Sequence, residues 1–192
     1  MQKCRLGAWM NESTSGTDGV REPQSEVAHT WADRDLASAQ WLLSAAPGTA
    51  REWATDGFAD LRCGNPFTTV SLLDLYVHAL AGTSQPGRVA VFLREHVGGP
   101  VFFDTRNHRY HALVPPGAAR LWHLSSVPGT SCAGVGKLVT VPMPGRARPD
   151  TGPVHWVVPM DGPGALCSPV EVAQIAHAGY ARVILRERAE HE

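Results

Sequence analysis

The chain has 192 residues, of which 43% are hydrophobic and 18% charged, enough for one domain with its own core and inconsistent with a largely disordered polypeptide. Seventeen basic residues against 18 acidic ones give a formal net charge of -1, so there is no global positive field to hold a polyanion, and any nucleic-acid contact has to come from a local patch. The N-terminus lacks the apolar stretch of a signal peptide and no later run reaches membrane-spanning length, so the expectation is a cytoplasmic protein with no membrane partner.

Met1 to about Thr30 is polar and aperiodic and reads as a flexible leader, with the folded domain over 31–186 and a frayed end over 187–192. From Trp31 to Ala46, Leu36, Ala39, Leu42 and Leu43 recur on one helical face, and Pro47-Gly48 closes the run. Thr49 to Asp56 continues with a helical turn or two carrying Trp53, ended by Gly57. Phe58–Cys63 and Phe67–Leu72 are short β-forming runs around Gly64-Asn65-Pro66, the second a buried central strand. Leu73–Leu80 and Arg88–Val97 have helical spacing, and Gly98-Gly99 stops the latter.

Pro100–Phe103 and His108–Val114 are extended runs joined by Asp104–Asn107, turn chemistry that predicts a β-hairpin. Period-two alternation puts Arg109, His111 and Leu113 on one face of its second strand and Tyr110, Ala112 and Val114 on the other, where helices are expected to pack. Ala118–Leu124 reads as a short helix bearing Trp122, Gly136–Pro142 as a strand, Pro144–Pro153 as a basic loop with Arg146 and Arg148, and Val154–Val158 as a strand. Ser168 caps a last helix with Pro169 in its first turn, expected to break at Gly179. The fold class is therefore α/β (α+β), a single domain in which helices cover an open mixed sheet built from Phe67–Leu72, Pro100–Phe103, His108–Val114 and Gly136–Val141.

Cys4, Cys63, Cys132 and Cys167 are widely spaced, with no C-x-x-C pair, and read as reduced, mostly buried thiols rather than a metal or redox site. His108 and His111, three apart on an expected strand, point to opposite faces and make a poor metal pair. Ser131-Cys132 with Gly134-x-Gly136 lacks the context of a nucleophile elbow or a phosphate loop. The six tryptophans are explained by core packing, with base stacking as the competing use.

The hairpin sequence RYHALVPPG is similar to the strand of bifunctional DNA primase/polymerase N-terminal domains in which an arginine–histidine pair precedes apolar residues and a proline–glycine turn. With the segment from Ala39 to Leu72, with GVGKLVTVPMPG and with VHWVVP before the Ser168 helix, the order resembles short actinobacterial relatives of that domain over about four-fifths of the chain. The resemblance implies a primase/polymerase-like fold. It also implies two aspartates one residue apart at the end of the first strand to hold divalent metal, a histidine on a strand to contact nucleotide phosphate, and a further carboxylate before a later strand. Here the first strand is Thr68-Thr69-Val70-Ser71-Leu72 with only Asp74 beyond it, His111 is the nearest match to the histidine, and Ser131-Cys132-Ala133 stand where the last carboxylate is expected. The expectation is thus a catalytically silent module that binds nucleotide, nucleic acid or another protein, with no cofactor. Arg106, Arg109, His111 and Lys137 are its candidate nucleotide- or nucleic-acid-binding residues, set against a reading of scattered, solvated charges. The alternative is a residual nucleotidyltransferase using magnesium or manganese on Asp60, Asp74 and Asp104.

Overall fold

A computed structural model of the chain describes residues 30–122, 127–146 and 152–191; the expected leader before Thr30, the end of the Trp122 helix at Leu124, and Arg148 lie outside the described residues. Helix α1, Trp31–Leu43, starts in a capping box: the Thr30 hydroxyl accepts from the Asp33 amide, and the Asp33 carboxylate accepts from Thr30 N at 3.0 Å. Its buried positions are Ser38 and Leu42, while Leu36 is exposed, so the buried stripe is rotated from the one expected. Helix α2, Ala50–Asp56, ends on Gly57 at φ +74°, the left-handed conformation that favours glycine at this cap.

Strand β1 (Phe58–Arg62) is followed by β2 (Thr68–Leu73), which is buried over Thr68–Leu72 as expected of a central strand. Helices α3 (Asp74–Ala81) and α4 (Pro86–Val97) lead to the hairpin of β3 (Val101–Asp104) and β4 (Arg109–Val114). Helix α5 (Ala118–Leu121), strands β5 (Ser131–Cys132), β6 (Leu138–Pro142) and β7 (Val154–Val158), and helix α6 (Pro169–Glu190) complete the chain.

Five strands form one open sheet in the order β5-β2-β4-β3-β7, with every pairing antiparallel. Since β4 runs against both β2 and β3, those two strands run the same way with β4 inserted between them, a split β-α-β unit carried by α3 and α4. The expected sheet differs in two respects: its pairings are all antiparallel rather than mixed, and β6 is not in it. It pairs with β1 as a separate two-stranded ribbon, Phe58 opposite Pro142 and Arg62 opposite Leu138. That ribbon is extended by Cys63 N donating to Lys137 O at 2.8 Å, and the place beside β3 belongs to β7.

Each face of the sheet has its own core. Val70, Leu72, Tyr110, Ala112 and Val114 pack with Val77 of α3, Val89 and Leu93 of α4 and Val172 and Ile175 of α6, so the helices lie where the alternation in β4 put them. On the other face Phe67, Phe102, Leu113 and Trp156 pack with Leu42, Trp53, Leu61 and Val141 of α1, α2 and the ribbon. Two indoles fasten that layer, Trp53 Nε1 donating to Val141 O and Trp156 Nε1 to Met143 O, each at 3.1 Å. Fully burying side chains of this size is worth roughly 1.5–3 kcal/mol each, which makes the second core as necessary to the domain as the first.

Helix α6 does not break at Gly179. It runs through to Glu190 because Gly179 is where it crosses α3: a Cβ there would lie 2.6 Å from Tyr76 O and 2.7 Å from Tyr76 Cβ. The glycine marks a close approach of two backbones rather than a stop. Among the described residues, no helix is long and apolar enough to cross a membrane.

Candidate functional site

The hairpin turn positions the site. Asp104, the last residue of β3, is buried and accepts from the amides of Arg106 at 2.9 Å and Asn107 at 3.3 Å through Oδ1, and from Asn107 Nδ2 at 2.7 Å through Oδ2. His108 completes the turn at φ +52°, so β4 begins one residue later than the sequence suggests. The carbonyl of His108 accepts from Asp74 N at 3.1 Å, and its Nδ1 lies 3.3 Å from Asp74 Oδ2. The turn is thereby tied to the N-terminus of α3.

Arg109 opens β4 between Leu73 of β2 and Asp104 of β3. Its Nη1 donates to Gly129 O at 2.7 Å and to Ser71 Oγ at 3.4 Å, which anchors one edge of the guanidinium on neutral oxygens. Among the described residues it forms no ion pair with a carboxylate. The partly exposed Arg109 therefore makes no direct ion pair at this corner of the sheet, although Asp104 is its cross-strand neighbour, with the exposed Arg106 at the same end and Ser131 of β5 opposite Ser71.

His111 lies one pleat further in, between Ser71 and Phe102. Its ring stacks on the Phe102 ring at 4.8 Å with an interplanar angle of 10°, and its Nδ1 is buried without a hydrogen-bond partner. Burial first, and then the charge of Arg109, against the opposing pull of Asp104, holds its pKa down to about 4. The imidazole is neutral at pH 7. It adds no positive charge to this corner, and a neutral ring meets a phosphate only as an N–H donor.

Lys137 does not join this corner. Strand β2 runs from the Cys63 end toward Arg109, and Lys137 is held at the Cys63 end by the ribbon hydrogen bonds, because β6 pairs with β1 rather than with the hairpin. Arg146 is also elsewhere, its Nη1 donating to Asp56 O at the end of α2. The candidate basic patch thus reduces to Arg109 and Arg106.

The three carboxylates of the alternative reading each have other work. Asp104 is consumed by the hairpin turn, Asp74 faces His108, and Asp60 accepts from Thr140 Oγ1 at 2.6 Å across the ribbon. Asp60 sits in the ribbon layer, while Asp74 and Asp104 are separated by the intervening strand β4. Among the described residues no three histidine, cysteine, aspartate or glutamate side chains group so as to hold a metal ion. The residues present do not fit the divalent metal that the resemblance implies.

On the opposite face, Tyr110 Oη lies 3.0 Å from His78 Nε2, and burial, followed by the charge of Asp74, raises its pKa to about 12. It is a neutral packing and hydrogen-bonding group. Burial likewise raises the thiol of Cys132, which favours its protonated form. Ser71 and the Gly129 carbonyl are absent from the sequence-based set of site residues. Ser71 was legible, since Thr69 and Ser71 alternate with Val70 and Leu72, whereas the Gly129 contact depends on how the segment before β5 folds back.

The domain is therefore of the mixed α/β class, an open antiparallel sheet with α3, α4 and α6 on one face, α1, α2 and the ribbon on the other, and a cationic corner at its hairpin end. No protein-family model, curated protein or solved structure matches the chain.

Proposed function

We propose that this is a primase/polymerase-like domain without nucleotidyl-transfer machinery, which binds the phosphate of a nucleotide or of single-stranded nucleic acid at the Arg109 corner. The observation that carries the reading is the guanidinium of Arg109, braced on Ser71 Oγ and Gly129 O and ion-paired to no carboxylate among the described residues. A pre-oriented fork of N–H donors free of a direct ion pair suits a phosphate oxygen. The split β-α-β sheet supports the family resemblance at the level of fold, and the engaged positions of Asp60, Asp74 and Asp104 support the silent rather than the catalytic form of it.

The test is a salt series of anisotropy titrations with a labelled oligothymidylate and with a labelled nucleotide. Wild type binds at least one of them. Arg109→Ala weakens that binding by about 1–3 kcal/mol, the range for a charge-assisted hydrogen bond, and the difference shrinks as salt rises. Binding unchanged by Arg109→Ala, or no binding by wild type, overturns the site. Magnesium- or manganese-dependent nucleotide incorporation that disappears in Asp74→Ala overturns the silent assignment.

A further inference from the structure

A cleft of about 550 Å³ lies at the end of the sheet away from the hairpin turn, where β3 begins and β7 ends. It is lined by Trp31, by Arg94 from the last turn of α4, by Gly98 and Gly99, and by the segment from Val158 through Asp161 to Ala165. We propose that this cleft is a binding site for a small aromatic anion, its ring set against Trp31 and its acid group on Arg94. The inference is independent of the Arg109 corner.

Trp31 is 69% exposed and yet fixed. The capping box holds the start of α1, the Arg34 guanidinium lies 4.0 Å from the centre of the indole, and Arg34 Nη1 is bound to Asp161 Oδ1 at 2.8 Å. This chain of contacts links α1 to the loop across the cleft and holds the indole in place before any ligand arrives. Val158 and Met160, both nearly buried, supply apolar wall beside it.

Charge selects the ligand. Asp161 is already matched by Arg34, whereas the exposed Arg94 forms no ion pair among the described residues, so the cleft has one cation to spare. A mostly apolar cavity of this size with an aromatic wall and two charged side chains, Arg94 and the Arg34-paired Asp161, has the usual composition of a small-molecule site. A planar ring buries area against the indole at little conformational cost, and a carboxylate or phosphate on that ring meets the planar guanidinium through paired N–H donors. Aryl carboxylates and nucleoside monophosphates share this chemistry.

The test is calorimetric titration of the full chain with phenylacetate, adenosine monophosphate, adenosine and inorganic phosphate. At least one of the two ring-bearing acids binds, while neutral adenosine and ringless phosphate bind roughly tenfold more weakly or not at all, because each lacks one of the two contacts. Preference for phenylacetate identifies an aryl carboxylate site and preference for adenosine monophosphate a nucleotide site. Trp31→Ala and Arg94→Gln, both changes at exposed side chains and both checked for retained helix content, each weaken binding roughly tenfold, and Arg88→Gln, an exposed change at the other end of the same helix, leaves it unchanged. Failure of both acids to bind, or binding that survives Trp31→Ala and Arg94→Gln, overturns the proposal. Binding removed only by Arg109→Ala also overturns it and returns the ligand to the other site.

Discussion

The stacked, neutral His111 makes the stability of this domain depend on pH in a window where carboxylates contribute little. In the unfolded chain an imidazole titrates near 6.5, while in the folded domain His111 is held down to about 4. Between those values the unfolded chain binds the extra proton, so stability falls as pH falls. The loss begins below about pH 6.5 and is complete once the pH is below about 4, where both states are protonated. From the two pKa values, moving from about pH 8 to about pH 5 costs about 2 kcal/mol, and the full difference of 2.5 units corresponds to roughly 3 kcal/mol. His111→Phe keeps a ring against Phe102, removes the unpartnered Nδ1 and removes the titration. Urea unfolding of wild type and variant at a series of pH values isolates the effect, because every other titrating group is common to both proteins. Wild type should lose about 2 kcal/mol more than the variant between about pH 8 and about pH 5. Equal losses would refute the assignment of a buried, neutral imidazole.

Three further outcomes follow from the packing. Gly179→Ala should destabilise the domain by about 1–3 kcal/mol despite the better helix propensity of alanine, because the new Cβ meets the Tyr76 backbone, and the melting temperature reports it. Tyr110→Phe should cost about 0.5–1.5 kcal/mol for the lost hydrogen bond to His78, whereas Tyr110→Ala should cost about 3–5 kcal/mol by opening a cavity among the helix-side residues; chemical denaturation separates the two. Asp104→Ala leaves two turn amides and the Asn107 side chain without their acceptor and should cost about 1–3 kcal/mol, with faster amide exchange at Arg106 and Asn107 as its local signature.

What the sequence disclosed was mostly local. The caps at Gly57 and Ser168, the β3–β4 hairpin and the division of β4 into an Arg109 face and a Tyr110 face all follow from turn chemistry and period-two alternation, which act within a few residues. What it concealed was set by distant partners. Gly179 carries the same letter as a helix stop and differs only in having Tyr76 against it. Strand β6 has the pattern of a main-sheet strand, and nothing within Leu138–Pro142 says that its partner is β1. Lys137 went with it, away from Arg109. For His111 the alternation gave the face but not the charge, because neutrality comes from burial beside Phe102, and only the assembled layers produce it.

The ribbon also fixes an order of events during synthesis. Strand β1 pairs with residues some eighty positions later in the chain, and Trp53 donates to the carbonyl of Val141, so β1 and Trp53 have no hydrogen-bonding partner on that side when they are made. The β3–β4 hairpin closes over a short loop and is available early, whereas the ribbon requires a long closure whose entropic cost must be met before its contacts form. Until Leu138–Pro142 has emerged, Leu42, Trp53 and Leu61 have only the Phe67, Phe102 and Leu113 side of the sheet to pack on and lack the cover of Val141. For that interval they present the kind of surface that chaperones bind and that promotes aggregation.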